Sequence, residues 1–205
     1  MVTKRACSER STKGFTLIEI VIVLAIIGVL AGILAPMLKS YVEQAKMRRA
    51  EQDTKTLGEA MLAFNKDVAR FPIFQSGTAT TPGSAVFVVL KTEDGSAPAA
   101  SVDSASWLSA TADTVDNQLK KNTPGGAGAA YPTTGEFAWR GPYMGETRSD
   151  PWGSYYVCNA TNLQAGNTNA VWVLSAGANK TIETTFNQAR GTASLGGDDV
   201  GFRVK

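Results

Sequence analysis

The spacing of apolar and polar residues changes three times along the chain. Residues 1–14 are polar and carry four basic side chains against one acid. The next 24 residues, 15–38, contain one ionisable side chain, that of Glu19. As a helix with a rise of about 1.5 Å per residue, this segment is roughly 36 Å long, enough to cross a hydrocarbon core of roughly 30 Å. The pattern predicts a membrane-spanning helix whose basic flank stays in the cytoplasm.

From Lys39 onwards the pattern predicts that the same helix continues in water. Apolar or small residues recur there at alternating spacings of three and four, which is typical of an amphipathic helix that packs on a core. The stripe consists of Met47, Ala50, Thr54, Leu57, Met61, Phe64 and Val68. It ends at Phe71 and Pro72, because the residue before a proline avoids the helical backbone conformation.

Residues 72–205 alternate short apolar runs with segments rich in Gly, Ser, Thr, Ala and Pro. Their β-branched and aromatic content predicts strands at 85–90, 155–158, 170–174 and 200–204. Loops are predicted at 94–101 and 123–130, and a short helix within 104–119. The predicted fold class is α+β, with a long N-terminal helix packed on a small antiparallel β-sheet.

Composition excludes several classes of function. The 205 residues include 20 Lys and Arg against 18 Asp and Glu, a net charge of +2, so we expect no nucleic-acid partner. Histidine is absent, which removes histidine bases, histidine-dependent nucleophile triads and histidine metal sites. No spacing pairs an acid with a base, and no Gly-rich phosphate loop follows a strand. We therefore expect that the protein is not an enzyme.

Glu19 is the residue that the membrane-helix interpretation does not explain by itself. A carboxylate within an apolar span costs about 2.5–3.5 kcal/mol on insertion scales, so such a residue usually has a partner or a function. A secretory signal peptide has a shorter apolar region, of about 7–15 residues, before its cleavage site. An uncleaved signal anchor is compatible with the same length and charge, and that alternative stays open here.

The segment from Lys13 to Glu19, Lys-Gly-Phe-Thr-Leu-Ile-Glu, precedes the apolar run 20–28. Together they resemble the N-terminal signature of type IV pilins and type II secretion pseudopilins. The resemblance implies that a prepilin peptidase cuts after Gly14 and that the new amino terminus, Phe15, is N-methylated. It also implies that the Glu19 carboxylate meets the amino terminus of a neighbouring subunit, because a close opposite charge offsets much of the cost of burying it.

Gly28, Gly32 and Pro36 are the positions of lowest helix propensity in the apolar segment. In the resembling family this stretch can unwind when subunits assemble, which implies a weak point in the helix. Glycine and proline are also simply tolerated in membrane helices, and both interpretations stay open.

Two regions of the globular part extend the resemblance. The turn-forming sequences at 140–143 and 150–153 are similar to those of the major pseudopilin of type II secretion. The segments 171–179 and 197–201 are similar to the C-terminal strand and loop that bind calcium in some major pseudopilins. Calcium prefers oxygen ligands, and the resemblance implies Asn179, Asp198 and Asp199 as three of them. The family usually has an acid at the position of Asn179, and a solvated turn that closes the sheet is the alternative.

The resemblance implies a division into a leader peptide, 1–14, a transmembrane and filament-core helix, 15–38, an amphipathic helix, 39–71, and a periplasmic α+β domain, 72–205. The implied function is a structural subunit of a type II secretion pseudopilus, which polymerises through its N-terminal helix to drive protein export. Its implied partners are further copies, other pseudopilins, inner-membrane assembly proteins, the prepilin peptidase and, before assembly, lipid. Apart from Ca²⁺ at the C-terminal loop, the resemblance implies no cofactor.

Two further functions remain compatible with the sequence. A type IV pilin or minor pilin would form a surface fibre, but such pilins commonly close their C-terminal loop with a disulfide. Cleavage after Gly14 removes Cys7 and leaves Cys158 as a single cysteine, which we expect to be a small buried side chain. An intermolecular disulfide is the alternative for that cysteine. The second function is a signal-anchored periplasmic binding domain that never polymerises.

Overall fold

A computed structural model describes residues 14–78 and 84–205 of the chain. It divides the protein into two compact units, Met1–Glu43 and Gln44–Lys205. The first thirteen residues of the predicted leader, including Cys7, lie outside the described residues.

Helix α1 runs over Leu17–Val68 and contributes to both units. The prediction of one long helix is confirmed, and its observed end precedes the predicted one by about three residues. The helix ends because Ala69 has a positive φ of 56°, a left-handed conformation that does not continue an α-helix.

The second unit contains a five-stranded sheet in the order β3-β1-β4-β5-β7 and a two-stranded sheet, β2-β6. The strands are β1 Val89–Lys91, β2 Ala99–Ala100, β3 Ala112–Thr114, β4 Val157–Cys158, β5 Trp172–Ser175, β6 Thr181–Ile182 and β7 Val200–Arg203. The short helices are α2 Ser104–Trp107 and α3 Val115–Leu119, with 3-10 turns at Pro124–Gly126 and Ala160–Leu163.

The α+β class is confirmed, but the larger sheet is mixed. Strands β1 and β3 are parallel, whereas β1–β4, β4–β5 and β5–β7 are antiparallel. A parallel pair needs a crossover connection, and here β2 and α2 lie between the two strands. Each of the four predicted strand segments overlaps an observed strand, and β1 and β5 each extend one residue beyond the predicted end, whereas β2, β3 and β6 were not predicted. The predicted loop 94–101 contains β2, and the predicted helix segment 104–119 is divided by β3.

The amphipathic stripe of α1 is buried from Ala50 to Val68, as predicted, with Met61 and Phe64 at 0% exposure. Met47 is the exception, because 45% of it is exposed and the domain covers the helix only from Ala50 onwards. The prediction that Met47 faces the core is therefore wrong.

Both faces of the five-stranded sheet are buried. Leu90, Cys158 and Val173 pack with α1 in one hydrophobic cluster. Their neighbours along the strands belong to a second cluster with Trp107, Ile182 and Phe186, because successive side chains of a strand point to opposite faces. The members from the strands are Val89, Val157, Trp172 and Leu174. The domain therefore has two cores, separated by the sheet.

Cys158 is a free, buried cysteine, as predicted. Burial raises the pKa of its thiol, so the thiolate needed for disulfide exchange is disfavoured. Its position in the core opposes an intermolecular disulfide.

Candidate functional site

The described part of the first unit is an apolar helix with no partner within the unit. Its large apolar side chains from Phe15 to Val42 are between 47% and 82% exposed. By length and composition, α1 is the one helix among residues 14–78 and 84–205 that can cross a membrane. Apolar surface of this extent marks a site of contact with lipid or with other protein surfaces.

The residues predicted for processing lie at the start of this helix. Gly14 and Phe15 precede α1, and Phe15 is 80% exposed. The backbone N–H of Glu19 donates to Oγ1 of Thr16 at 3.3 Å, which satisfies one of the free donors of the first helical turn. Glu19 itself is exposed, one turn after Phe15.

The backbone of α1 is helical from Gly28 to Pro36. A Cβ atom added at Gly28 or Gly32 would meet no atom within 4 Å, so both glycines leave open space on the helix surface. The proposed weakness of this stretch stays a prediction.

The segment between β5 and β7, residues 176–199, is called the C-terminal loop here. It brings the three predicted calcium ligands into one region. The backbone N–H of Asn179 donates to Oδ2 of Asp198 at 3.0 Å. The other predicted acid, Asp199, accepts through Oδ2 from the N–H groups of Glu183 and Thr184, at 2.9 and 2.7 Å, and from the Thr184 hydroxyl at 2.6 Å. Much of the coordination capacity of Asp199 therefore already holds the loop together.

Glu183 is a member of this region that the sequence did not indicate. Its Oε2 accepts from the Asn179 amide at 3.1 Å and from the Asp198 N–H at 3.3 Å. The only signal in the sequence was an acid four residues after Asn179. That spacing becomes informative only when the turn before β6 is known.

Two carboxylate oxygens of this loop are buried without a hydrogen-bond partner, Oδ1 of Asp198 and Oδ1 of Asp199. Burial raises the pKa of Asp199, and the hydrogen bonds from Thr184 and Glu183 oppose that rise. Among the described residues, no group of three or more His, Cys, Asp or Glu side chains has the arrangement of a metal site. The predicted set contains two carboxylates and one amide, so its calcium binding stays a prediction.

The turn at 150–153 is hydrogen-bonded to the residues where β5 ends and the C-terminal loop begins. Asp150 accepts through Oδ1 from the N–H groups of Trp152 and Ser154, at 3.0 and 2.7 Å. Its Oδ2 accepts from the Ser175 hydroxyl at 2.6 Å, and that hydroxyl accepts from the N–H of Gly177 at 3.2 Å. The buried Asp150 therefore connects the turn to the start of the C-terminal loop.

Comparison with known proteins identifies the N-terminal segment. The family described as "Prokaryotic N-terminal methylation motif" matches residues 10–35, which include Gly14, Phe15 and Glu19. The chain carries a prepilin-type N-terminal methylation motif. The matched segment therefore includes both the predicted processing site, Gly14 and Phe15, and the exposed start of α1.

The chain is also similar to proteins named as components of secretion systems and of fibres. It is 38% identical over 69 residues to the type II secretion system core protein G of Pseudomonas aeruginosa, covering 34% of this chain and 49% of the relative. The protein of the same name from Dickeya chrysanthemi is 36% identical over 69 residues, 34% of this chain and 45% of the relative. A fimbrial protein of Pseudomonas aeruginosa is 39% identical over 62 residues, 29% of this chain and 40% of the relative.

The chain spans about half the length of the type II secretion relatives it matches. No solved structure matches it.

Proposed function

We propose that the protein is a structural subunit of a type II secretion pseudopilus and has no catalytic role. The observation that carries the proposal is the methylation motif at 10–35 on a helix whose apolar surface is exposed. The similarity to core protein G of type II secretion systems supports the same assignment. Assembly with further copies, with other pseudopilins and with inner-membrane assembly proteins is part of this proposal.

In the proposed pathway, the subunit first lies in the bacterial inner membrane, with its N-terminus in the cytoplasm and its domain in the periplasm. A prepilin peptidase removes residues 1–14, which carry four basic side chains, and the new terminus at Phe15 is methylated. The exposed helix then leaves the lipid and joins the filament core. Other apolar helices replace the lipid contacts, so the apolar surface stays out of water.

Glu19 sets the register of this assembly in our proposal. The residue lies in the first turn of α1, four positions after Phe15 in the sequence. In an apolar bundle an unpaired carboxylate is costly, and the amino terminus of a neighbouring subunit is the cation that offsets this cost. The stretch from Gly28 to Pro36 is the segment we expect to unwind on assembly.

Calcium binding at the C-terminal loop is the finer part of the proposal. The buried, unpartnered Oδ1 atoms of Asp198 and Asp199 fit a cation that prefers oxygen ligands. The backbone N–H of Asn179 donates to Oδ2 of Asp198 at 3.0 Å, and the newly identified Glu183 accepts from the Asp198 N–H at 3.3 Å. When bound, calcium would supply positive charge that stabilises the two carboxylates and the loop between β6 and β7.

The test is deletion of the gene, followed by assays of exoprotein secretion and of surface fibres. We expect secretion to stop and to return with the wild-type chain. It should not return with Glu19→Gln, which removes the charge at constant shape. Glu59→Gln is the matched control, because Glu59 is an exposed acid of the same helix in a loose 3.9 Å ion pair.

A type IV pilin is the second candidate, favoured by the similarity to a fimbrial protein. Loss of fibres with intact secretion in the deletion strain would select this candidate. Mass spectrometry of the native N-terminus separates both from a signal-anchored domain. A chain that begins at Met1 and lacks a methyl group on Phe15 would contradict both filament functions.

A further inference from the structure

The side chain of Asn179 is already engaged at both ends in the C-terminal loop. Its Oδ1 accepts from the backbone N–H of Thr181 at 2.6 Å, and its Nδ2 donates to Oε2 of Glu183 at 3.1 Å. These two partners fix the orientation of the amide, because an N–H needs an acceptor and a carboxylate needs a donor. The group that Asn179 turns towards Glu183 is therefore an NH₂ group, which cannot bind a cation.

The backbone of the loop leaves room for the carboxylates of Glu183 and Asp198. A Cβ atom added at Gly197, which has a positive φ of 48°, would overlap the carboxylate of Glu183. A Cβ atom added at Gly177, with a φ of 63°, would lie 2.8 Å from Cγ of Asp198. Glycine at these two positions therefore allows both acids to lie against the backbone.

Three carboxylates meet in this loop without a counter-ion. Asp199 is 7% exposed, and its Oδ1 and that of Asp198 are buried without a hydrogen-bond partner. In the described part of the chain, both hydrogen bonds to the Glu183 side chain end at Oε2, which leaves Oε1 open. No ion pair among the described residues involves any of the three acids. Three negative charges so close together repel each other unless a cation lies between them.

Hydrogen bonds connect Glu183 to both of the other acids. Its Oε2 accepts from the N–H of Asp198 at 3.3 Å, and its own N–H donates to Oδ2 of Asp199 at 2.9 Å. Two further donors, both from Thr184, hold Asp199 in place, whereas the Glu183 carboxylate is held only by the two longer bonds. The described acids do not have the arrangement of a metal site in this structure. Glu183 is the acid that can rearrange, because its side chain has more rotatable bonds and weaker contacts.

We propose that Glu183, rather than Asn179, is the third side-chain ligand of calcium in the C-terminal loop. The inference rests on the calcium part of the proposed function and changes its ligand set from two carboxylates and an amide to three carboxylates. The number of charged ligands is one of the factors that set calcium affinity, and Glu183 supplies the additional charge. Asn179 has a positioning role, because its amide holds Glu183 at the loop while no cation is bound.

Calcium titration of the full chain in detergent tests this ligand set. Isothermal titration calorimetry, after calcium has been removed with a chelator, gives dissociation constants for the wild type, Glu183→Gln and Asn179→Ala. We expect Glu183→Gln to weaken calcium binding by about tenfold or more, since it removes one charged ligand at constant size. Asn179→Ala removes no charge, and we expect it to change the dissociation constant by less than about threefold.

The calcium-induced rise in the thermal midpoint gives a second measurement that does not depend on the starting stability. Asn179→Ala loses the hydrogen bond to Thr181, so its midpoint without calcium should fall below that of the wild type. Its rise on addition of calcium should nevertheless equal that of the wild type, whereas Glu183→Gln should show little or no rise. Glu136→Gln is the matched control, because Glu136 is an exposed acid outside the loop, and it should behave as the wild type in both measurements.

Two results would overturn the inference and leave the calcium site standing. One is calcium binding by Glu183→Gln that is as tight as that of the wild type. The other is a loss of binding in Asn179→Ala that equals or exceeds the loss in Glu183→Gln. A wild-type chain that binds no calcium would reject the calcium part of the proposed function and this inference with it. Filament assembly is measured separately, through secretion and surface fibres, so these titrations do not decide it.

Discussion

The two ends of α1 differ in what covers their apolar side chains. Up to Val42 the large apolar side chains are all exposed, with Leu17 at 82% and Leu24 at 62%. In the domain, Met61 and Phe64 on the same helix are fully buried. The domain part has a narrow stripe that one core satisfies, whereas the N-terminal part is apolar on all sides. A helix of the second kind needs lipid or several other helices around it.

The comparison predicts that truncations at the two ends of α1 affect different properties. Phe64→Ala removes a ring that makes edge-to-face contacts with Tyr131 at 4.9 Å and Tyr143 at 5.5 Å. We expect the free energy of unfolding of the domain to fall by about 3–5 kcal/mol, from lost burial and the cavity left behind. Urea unfolding followed by tryptophan fluorescence measures this, because all four tryptophans lie in the domain.

Leu24→Ala is the matched truncation in the exposed half of α1. It should leave the unfolding midpoint of the domain unchanged and lower filament yield. Met47→Ala, at a 45% exposed position, should change the free energy of unfolding by less than about 0.5 kcal/mol. A loss at Met47 as large as that at Phe64 would contradict the assigned boundary of the core.

Chelation tests whether the C-terminal loop depends on a cation. If calcium binds at Asp198 and Asp199, a chelator should lower the thermal midpoint of the domain. Calcium at one hundred times its dissociation constant stabilises the folded state by about 2.7 kcal/mol. Asp198→Asn should reduce the calcium-dependent shift. Glu136→Gln, an exposed acid outside the loop, serves as the control. An unchanged midpoint in the wild type would reject the site.

A smaller loss of domain stability is expected from a substitution at Gly58, where α1 meets β7. A Cβ atom at Gly58 would lie 2.3 Å from Cδ1 of Phe202 and 3.4 Å from Cγ2 of Val204. Gly58→Ala gains about 1 kcal/mol of helix propensity and loses about 1–3 kcal/mol to overpacking. We expect a net loss of about 1 kcal/mol in urea unfolding. Gly32→Ala is the control, because a Cβ atom there would meet no atom within 4 Å, and it should leave domain stability unchanged. An equal loss of stability at Gly32 would contradict the assignment of the Gly58 effect to overpacking.

Local pattern was sufficient for the long helix and for the residues of the methylation motif. The helix repeats its spacing over many turns, and the motif is contiguous between residues 10 and 35. Such signals need no knowledge of distant residues. The buried stripe from Ala50 to Val68 followed from the same periodicity, whereas the exposure of Met47 depends on where the domain begins to cover the helix.

Tertiary structure decided the features that depend on pairing between distant segments. Strands β2 and β6 have two residues each, too few for an alternating pattern to be recognised. The packing of distant segments also decides the parallel pairing of β1 with β3, the second core and the position of Glu183 beside Asn179.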